Sequence, residues 1–211
     1  MNVRLARIIT RLTEEYSTPR TALQFTSPLE LLIATILSAQ CTDERVNRVT
    51  RLLFQKYKTT EDYANTDLAE LEQIIRPTGY YRRKAKLIRD CCQKLVTEFK
   101  SCVPQTMEEL LTLPGVARKT ANIVLSNAFG IVAGIAVDTH VKRLSQRLGF
   151  TMNKNPEKIE KDLMTIIPRH SWEAITYLLI EHGRNVCKAR RPICEKCVLG
   201  KTLCPSYSVG S

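Results

Sequence analysis

With 211 residues, 44% of them hydrophobic and 25% charged, the chain has the length for one large or two small globular domains and the composition of an ordinary water-soluble one. Its 32 Lys+Arg against 21 Asp+Glu leave a formal net charge of +11, which suits a polyanionic partner such as a nucleic acid, or else serves only as solubility charge. The most apolar stretches, 29–39 and 131–137, fall far short of the roughly 20 residues of a membrane span, and the charged opening Met1–Ile9 has no secretory core, so a cytosolic protein is expected.

In chain order, residues 3–16 place Leu5, Ile8, Ile9 and Leu12 on one helical face. Residues 17–26, with Pro19, read as a linker. Pro28 opens an apolar helix over 29–40. Thr42-Asp43 caps the next helix, which runs through Val46, Val49, Leu52, Leu53 and Tyr57. Thr66-Asp67 caps a short helix ending near Arg76-Pro77, and Thr78-Gly79-Tyr80-Tyr81 forms a turn with an aromatic tip. A helix over 82–99 carries strong bases on its outer face and is broken at Val103-Pro104. Thr106-Met107-Glu108-Glu109 has the capping-box pattern for a helix over 108–113. Residues 119–129 form a helix stopped by Gly130. Beyond Asp138, helices follow over 139–148, 156–167 and 172–182, with Gly183 ending the last. Neither strands nor repeats emerge, so the fold class is all-α, with about ten helices.

The stretch Leu113-Pro114-Gly115-Val116-Ala117-Arg118-Lys119 joins two of these helices. Pro114 halts the first and Gly115 allows a turn that other residues resist. Such a turn leaves backbone N–H groups at the next helix's start, an anion site suited to a DNA phosphate; an ordinary αα-corner uses the same residues. Lys119 lies in a first helical turn, where a cation opposes the dipole, and Arg118 adds like charge. Both effects favour the neutral amine that a lysine nucleophile needs. A plain phosphate-contacting lysine is the alternative.

Of the eight cysteines, Cys41, Cys91, Cys92 and Cys102 are scattered and read as small core or surface residues, while Cys187, Cys194, Cys197 and Cys204 crowd the C-terminal end. In a reducing compartment such a quartet reads as a metal site. Four soft thiolates at this spacing suit zinc or an iron–sulfur cluster, and bare spacing favours zinc. Lys188, Arg190, Arg191, Lys196 and Lys201 lie between the ligands, either as a basic loop for DNA phosphates or as a solvated tail. His170 and His182 are expected to be structural, and Trp172 to serve in helix packing.

Five motifs in order resemble the endonuclease III family of DNA glycosylases, within the helix-hairpin-helix glycosylase superfamily. They are Leu37-Ser-Ala-Gln40-x-Thr-Asp43, Gly79-x-Tyr81-x-x-Lys84-Ala85, Leu113-Pro-Gly-Val-x-x-Lys119-Thr-Ala, Val137-Asp138-Thr-His140 and the cysteine quartet, together spanning residues 29–205. The resemblance implies that Lys119 is the catalytic nucleophile and Asp138 its partner carboxylate, a residue that also suits a helix N-cap. His140 follows the aspartate and is placed to orient it and to touch DNA. The resemblance also implies a 4Fe–4S cluster on the four cysteines in place of zinc, and excision of oxidised pyrimidines followed by cleavage of the abasic strand. Gln40 would enter the gap left by a flipped nucleotide. Tyr80, where the family often has an apolar wedge, would stack in the DNA or else pack between helices. The hairpin residues Gly115, Val116, Ala117 and Arg118 would hold a phosphate, with Lys188 and Arg191 as further DNA contacts. Two departures stand out: Ala117 occupies a usual glycine position, and the last cysteine gap is six residues where five is usual.

The expected architecture is therefore two helical domains. Residues 22–132 form a six-helix bundle with the hairpin, and 1–21 joins 133–211 in a discontinuous domain carrying the cluster, with a DNA cleft between them. The expected protein is a bifunctional glycosylase/lyase, monomeric, cytoplasmic and nucleoid-associated if prokaryotic. Its partner is double-stranded DNA with damaged pyrimidines or abasic sites, and no membrane. A monofunctional mismatch or damaged-base glycosylase and a non-catalytic DNA-binding module with structural zinc are the alternatives.

Overall fold

The computed structural model describes residues 3–16 and 21–208; the stretch 17–20, expected as part of a linker, lies outside them. Among the described residues there are twelve α-helices and no strand: α1 (Val3–Glu15), α2 (Pro28–Leu37), α3 (Asp43–Lys56), α4 (Thr60–Ala64), α5 (Leu68–Ile75), α6 (Tyr81–Glu98), α7 (Met107–Leu110), α8 (Arg118–Phe129), α9 (Thr139–Arg147), α10 (Pro156–Ile166), α11 (Trp172–Asn185) and α12 (Gly200–Leu203). The chain divides into two compact units, Ala22–Ile131 and the combination of Met1–Thr21 with Val132–Ser211. Among the described residues no helix is long and apolar enough to cross a membrane.

Ala22–Ile131 is built around α2. Its residues Leu31 to Leu37 are all buried, so the helix is apolar on every side and needs neighbours on every side. It packs against α3, α6 and α8. Pro28 sits at its first turn and Ser27 caps it, the hydroxyl accepting from Glu30 N at 3.2 Å. Thr42, Thr59 and Asp67 cap α3, α4 and α5 in the same way. Helix α4 is absent from the sequence reading. Its Thr59-x-x-Asp62 capping box is complete, with Thr59 Oγ1 accepting from Asp62 N at 3.1 Å and Asp62 accepting from Thr59 N at 2.9 Å. Helix α7 is shorter than expected, and the Thr106 hydroxyl donates to the Glu109 carboxylate at 2.7 Å. Gly130 ends α8 in the left-handed conformation, with Ile131 N returning to Leu125 O at 2.9 Å.

In the second unit α1 buries a single stripe, Leu5, Ile8 and Leu12, into a core shared with α9, α10, α11 and α12. Burying each of these side chains stabilises the unit by about 1.5–3 kcal/mol. Arg4 docks the helix: its guanidinium donates to Leu203 O at 2.7 Å and to Leu148 O at 2.6 Å, closing the last turns of α12 and α9. Trp172 is partly buried against the core and donates from Nε1 to Ile167 O at 2.8 Å.

Gly183 does not end α11, which continues to Asn185. A Cβ on Gly183 would lie 2.7 Å from His140 Nδ1 and 3.0 Å from Arg143 Nη2, so the glycine serves the close approach of α9. Its role is packing, not termination.

Candidate functional site

An open pocket of about 470 Å³ lies within Ala22–Ile131, lined by Gln40, Tyr80, Lys84 and the hairpin residues Gly115, Val116 and Ala117. Gln40 is not at the end of a helix, as expected, but three residues beyond α2. The last turn of α2 tightens, with Ala39 N reaching Ile36 O and Cys41 N reaching Ser38 O, and Gln40 then turns the chain with φ 54°. Tyr80 is also left-handed, with φ 49°, and precedes α6 without a side-chain cap. Its ring is 66% exposed, which does not fit packing between helices. Tyr81 is the packed member of the pair, with the guanidinium groups of Arg76 and Arg82 at 5.9 and 5.7 Å from its ring centroid.

Behind these turns Lys84 is 3% exposed. Its Nζ donates to Leu37 O and to Thr78 O, each at 2.8 Å. Burial pushes its pKa down, and nearby Cys41 opposes that weakly.

The hairpin needs its glycine twice over. Gly115 has φ +82°, and a Cβ there would meet Leu87 Cβ of α6 at 3.3 Å. Ala117 has φ −106° and ψ 171°, extended backbone that alanine adopts without strain. It stands at the N-cap of α8 but provides no side-chain cap, unlike Ser27 on α2 or Asn155 on α10. Arg118 and the exposed Lys119 are the first two residues of that helix and follow the pocket-lining Ala117 in sequence, so the helix start, which has no side-chain cap, carries two cations.

In the other unit, Asp138 is half-buried and caps α9, its Oδ1 accepting from Val141 N at 2.7 Å. The His140 ring is oriented by Arg143, with Nδ1 and Nη2 3.1 Å apart. Burial holds the pKa of His140 below its ordinary value, with Asp138 pulling the other way and Arg143 and Arg184 adding to the depression.

Cys187, Cys194, Cys197 and Cys204 line one cavity of about 150 Å³. Among the described residues no three His, Cys, Asp or Glu side chains form a site for a single metal ion. Basic groups lie against the thiols. Arg147 Nη1 donates to Cys187 Sγ at 3.2 Å, and His182 Nε2 lies 3.3 Å from Cys197 Sγ. Burial pushes the thiols of Cys197 and Cys204 up, and metal ligation would reverse this by holding the thiolate. Four soft donors around one cavity, with cationic and imidazole neighbours to offset their charge, fit a polynuclear iron–sulfur group.

The loop after Cys187 is fastened from α9. Arg147 donates to Lys188 O at 2.8 Å and to Ala189 O at 2.9 Å, and Arg143 donates to Cys187 O and Gly183 O, each at 3.0 Å. Lys188, Arg190 and Arg191 are exposed on it.

Sequence reasoning missed Arg143, Arg147 and the role of Lys84. The two arginines are four apart on α9, hence on one face and aimed at one loop. Lys84 stands in the apolar series Lys84, Ile88, Cys91, Leu95, and a lysine in such a stripe signals a buried amine.

The chain matches the family described as HhH-GPD superfamily base excision DNA repair protein over residues 33–169. It is 55% identical to an endonuclease III from Synechocystis sp. over 203 residues, 96% of this chain and 92% of that protein. Two solved structures, a non-covalent endonuclease III–DNA complex and a trapped endonuclease III–DNA covalent intermediate, each superimpose with a TM-score of 0.91 at 44% identity, covering 98% of this chain and 97% and 98% of theirs.

Proposed function

Because the chain belongs to the HhH-GPD superfamily of base excision DNA repair proteins and, within it, to the endonuclease III family, we infer that it is a bifunctional DNA glycosylase and abasic-site lyase. It acts on double-stranded DNA carrying oxidised pyrimidines or abasic sites. The observation that carries this reading is the pocket of Ala22–Ile131, where Gln40, Tyr80 and the hairpin backbone come together and α8 begins with Lys119 in its uncapped first turn. The family's covalent DNA intermediate supports nucleophilic catalysis.

In this reading the hairpin backbone at the start of α8 holds a phosphate, the Val116 N–H itself closing the turn onto Leu113 O at 3.1 Å, and that grip sets the sugar before Lys119. A damaged base leaves the stack at modest cost. Gln40 fills the space it vacates and Tyr80 stacks against the opened step. The neutral Lys119 amine attacks C1′ of the deoxyribose as the C1′–N bond breaks and the base departs with its electron pair and a proton. Ring opening gives a protonated Schiff base, which acidifies the C2′ hydrogen. Loss of that proton and of the C3′ oxygen breaks the strand 3′ to the lesion, and water then releases the lysine. Asp138 is the partner carboxylate, balancing the positive charge on the sugar or taking the amine proton.

Cys187, Cys194, Cys197 and Cys204, which line one cavity, would hold a 4Fe–4S cluster, and the group would supply metal–thiolate cross-links within one short segment. The fastened loop presents Lys188 and Arg191 to DNA phosphates, and His140 is a further contact. The bacterial relative supports a cytoplasmic, nucleoid-associated protein.

Borohydride reduction of a reaction on an abasic duplex tests the central assignment. The wild-type chain is expected to give a covalent protein–DNA adduct. Lys119→Ala is expected to abolish it while still shifting the duplex in a binding assay. Undiminished trapping by Lys119→Ala would remove Lys119 as the nucleophile.

A further inference from the structure

Gln40 and Tyr80 are the two non-glycine left-handed residues of the pocket. Residues with a Cβ resist that conformation, and it persists where the surroundings impose it. One side chain touches the supports of both turns. Lys84 Nζ donates to Leu37 O, in the last turn of α2 three residues before Gln40, and to Thr78 O, two residues before Tyr80. The Lys84 backbone N–H also donates to Tyr80 O at 3.0 Å, so the Gly79–Tyr80 turn is held from both sides by one residue.

Leu37 O belongs to the set of C-terminal helix carbonyls that have no donor of their own, so it needs an outside N–H. Both acceptors of Nζ are carbonyls and neither is a carboxylate. Burial disfavours an ammonium held this way, and an apolar residue would fill the stripe beside Ile88 more readily. The useful property of lysine here is several donors on one atom, which reach two segments at once.

We propose that Lys84 is a positioning residue that holds Gln40 and Tyr80 as a preformed pair, so that both are presented to the helix without reordering when a base is opened. This rests on the glycosylase reading above. It gives Lys84 an effect on opening the duplex and none on chemistry at the sugar.

The test compares single-turnover excision of one oxidised pyrimidine, dihydrouracil, from a fully paired duplex and from the same strand left unpaired. Lys84→Met keeps an unbranched stem, one atom shorter, and removes the donors. It is expected to slow excision from the duplex by between about tenfold and 10²-fold, the range of a misplacement of about 1 Å. Excision from the unpaired strand and borohydride trapping on abasic DNA should stay near wild type. Equal slowing on both substrates, or wild-type rates on both, overturns the proposal. If Lys84→Met does not fold, Lys84→Gln carries the test, because its side chain is one atom shorter and draws the nitrogen back from the two carbonyls. The paired-to-unpaired ratio is then expected to fall, and an unchanged ratio overturns the proposal. A wild-type chain that neither excises nor traps removes the glycosylase reading itself, and the proposal with it.

Discussion

The two units close their helix ends with different cations, and the difference follows what each has to present. In Ala22–Ile131 the buried α2 ends against a single amine, and Lys84 joins two carbonyls from separate segments inside the protein. In the unit made from the termini the same work falls to guanidinium groups nearer the surface. Arg4 closes α9 and α12, while Arg143 and Arg147 close α11 and the loop after it. An ammonium is compact and directs its donors in three dimensions, which suits a point between buried carbonyls. A guanidinium is a flat fork that reaches several carbonyls, of one loop for Arg147 and of two helix ends for Arg4, and keeps its charge while partly wet. The first arrangement shapes a recess and the second shapes a rigid basic loop.

The strongest way to separate the two units is to remove the cluster proposed for the cysteine quartet. The four cysteines belong to the terminal unit, where Leu199 and Leu203 contribute to the same core as α1 and α11. Oxidative loss of the cluster, or Cys204→Ser, is expected to lower amide-exchange protection in α1, α9 and α11 by at least about 1.4 kcal/mol, a tenfold change. Protection in α2 and α8 should be unchanged. A uniform loss across both units would show that the cluster stabilises the chain as a whole. Broad absorbance toward the blue end of the visible before treatment, and its disappearance afterwards, checks that iron–sulfur was present; a colourless protein with bound zinc would contradict the cofactor assignment.

Gly183→Ala tests the arginine side of the comparison more finely. Alanine in a helix is ordinarily about 1 kcal/mol better than glycine. Here the added Cβ would lie 2.7 Å from His140 Nδ1, and both His140 and Arg143 are anchored. Overpacking of this kind costs about 1–3 kcal/mol, so the melting temperature is expected to fall by several degrees, at roughly 2–4 °C per kcal/mol for a chain of this size. A rise would show that α9 yields easily and that Arg143 does not fasten the loop.

What was legible in the sequence divides along the same line. Helix starts are legible at Thr42, Asp67 and Asp138, because the cap and its N–H lie within three residues; the Thr59 cap of the five-residue α4 is as local, but so short a helix carries no apolar period to mark it. Residue type and spacing mark the cysteine quartet as a metal site, whereas the 4Fe–4S assignment and the role proposed for Lys119 rest on the resemblance of the motifs. Gly183 was misread as a stop because its reason is a histidine more than forty positions earlier, on another helix. The end of α2 was placed three residues late, since Ser38-Ala39-Gln40 has nothing against helix in its composition. The carbonyl that ends the helix is satisfied by Lys84, far along the chain. Local physics shows in a sequence; contacts between distant segments do not.

The smallest expected effect concerns the hairpin itself. Glycine at position 117 would matter if the backbone there were left-handed, as it is at Gly115. It is extended, with φ −106°. Ala117→Gly therefore relieves no strain; freeing the unfolded chain costs about 0.4–1 kcal/mol, which glycine's better ranking than alanine at an N-cap opposes, so stability is expected to change little. DNA affinity should change by less than about twofold, since the N–H offered to a phosphate is the same in both residues. A gain of about tenfold or more in affinity, measured on an abasic duplex at fixed salt, would mean that the methyl group obstructs the phosphate. The hairpin of this chain would then hold DNA at a distance that its relatives do not, and the grip ahead of Lys119 would be the part of the site to revise.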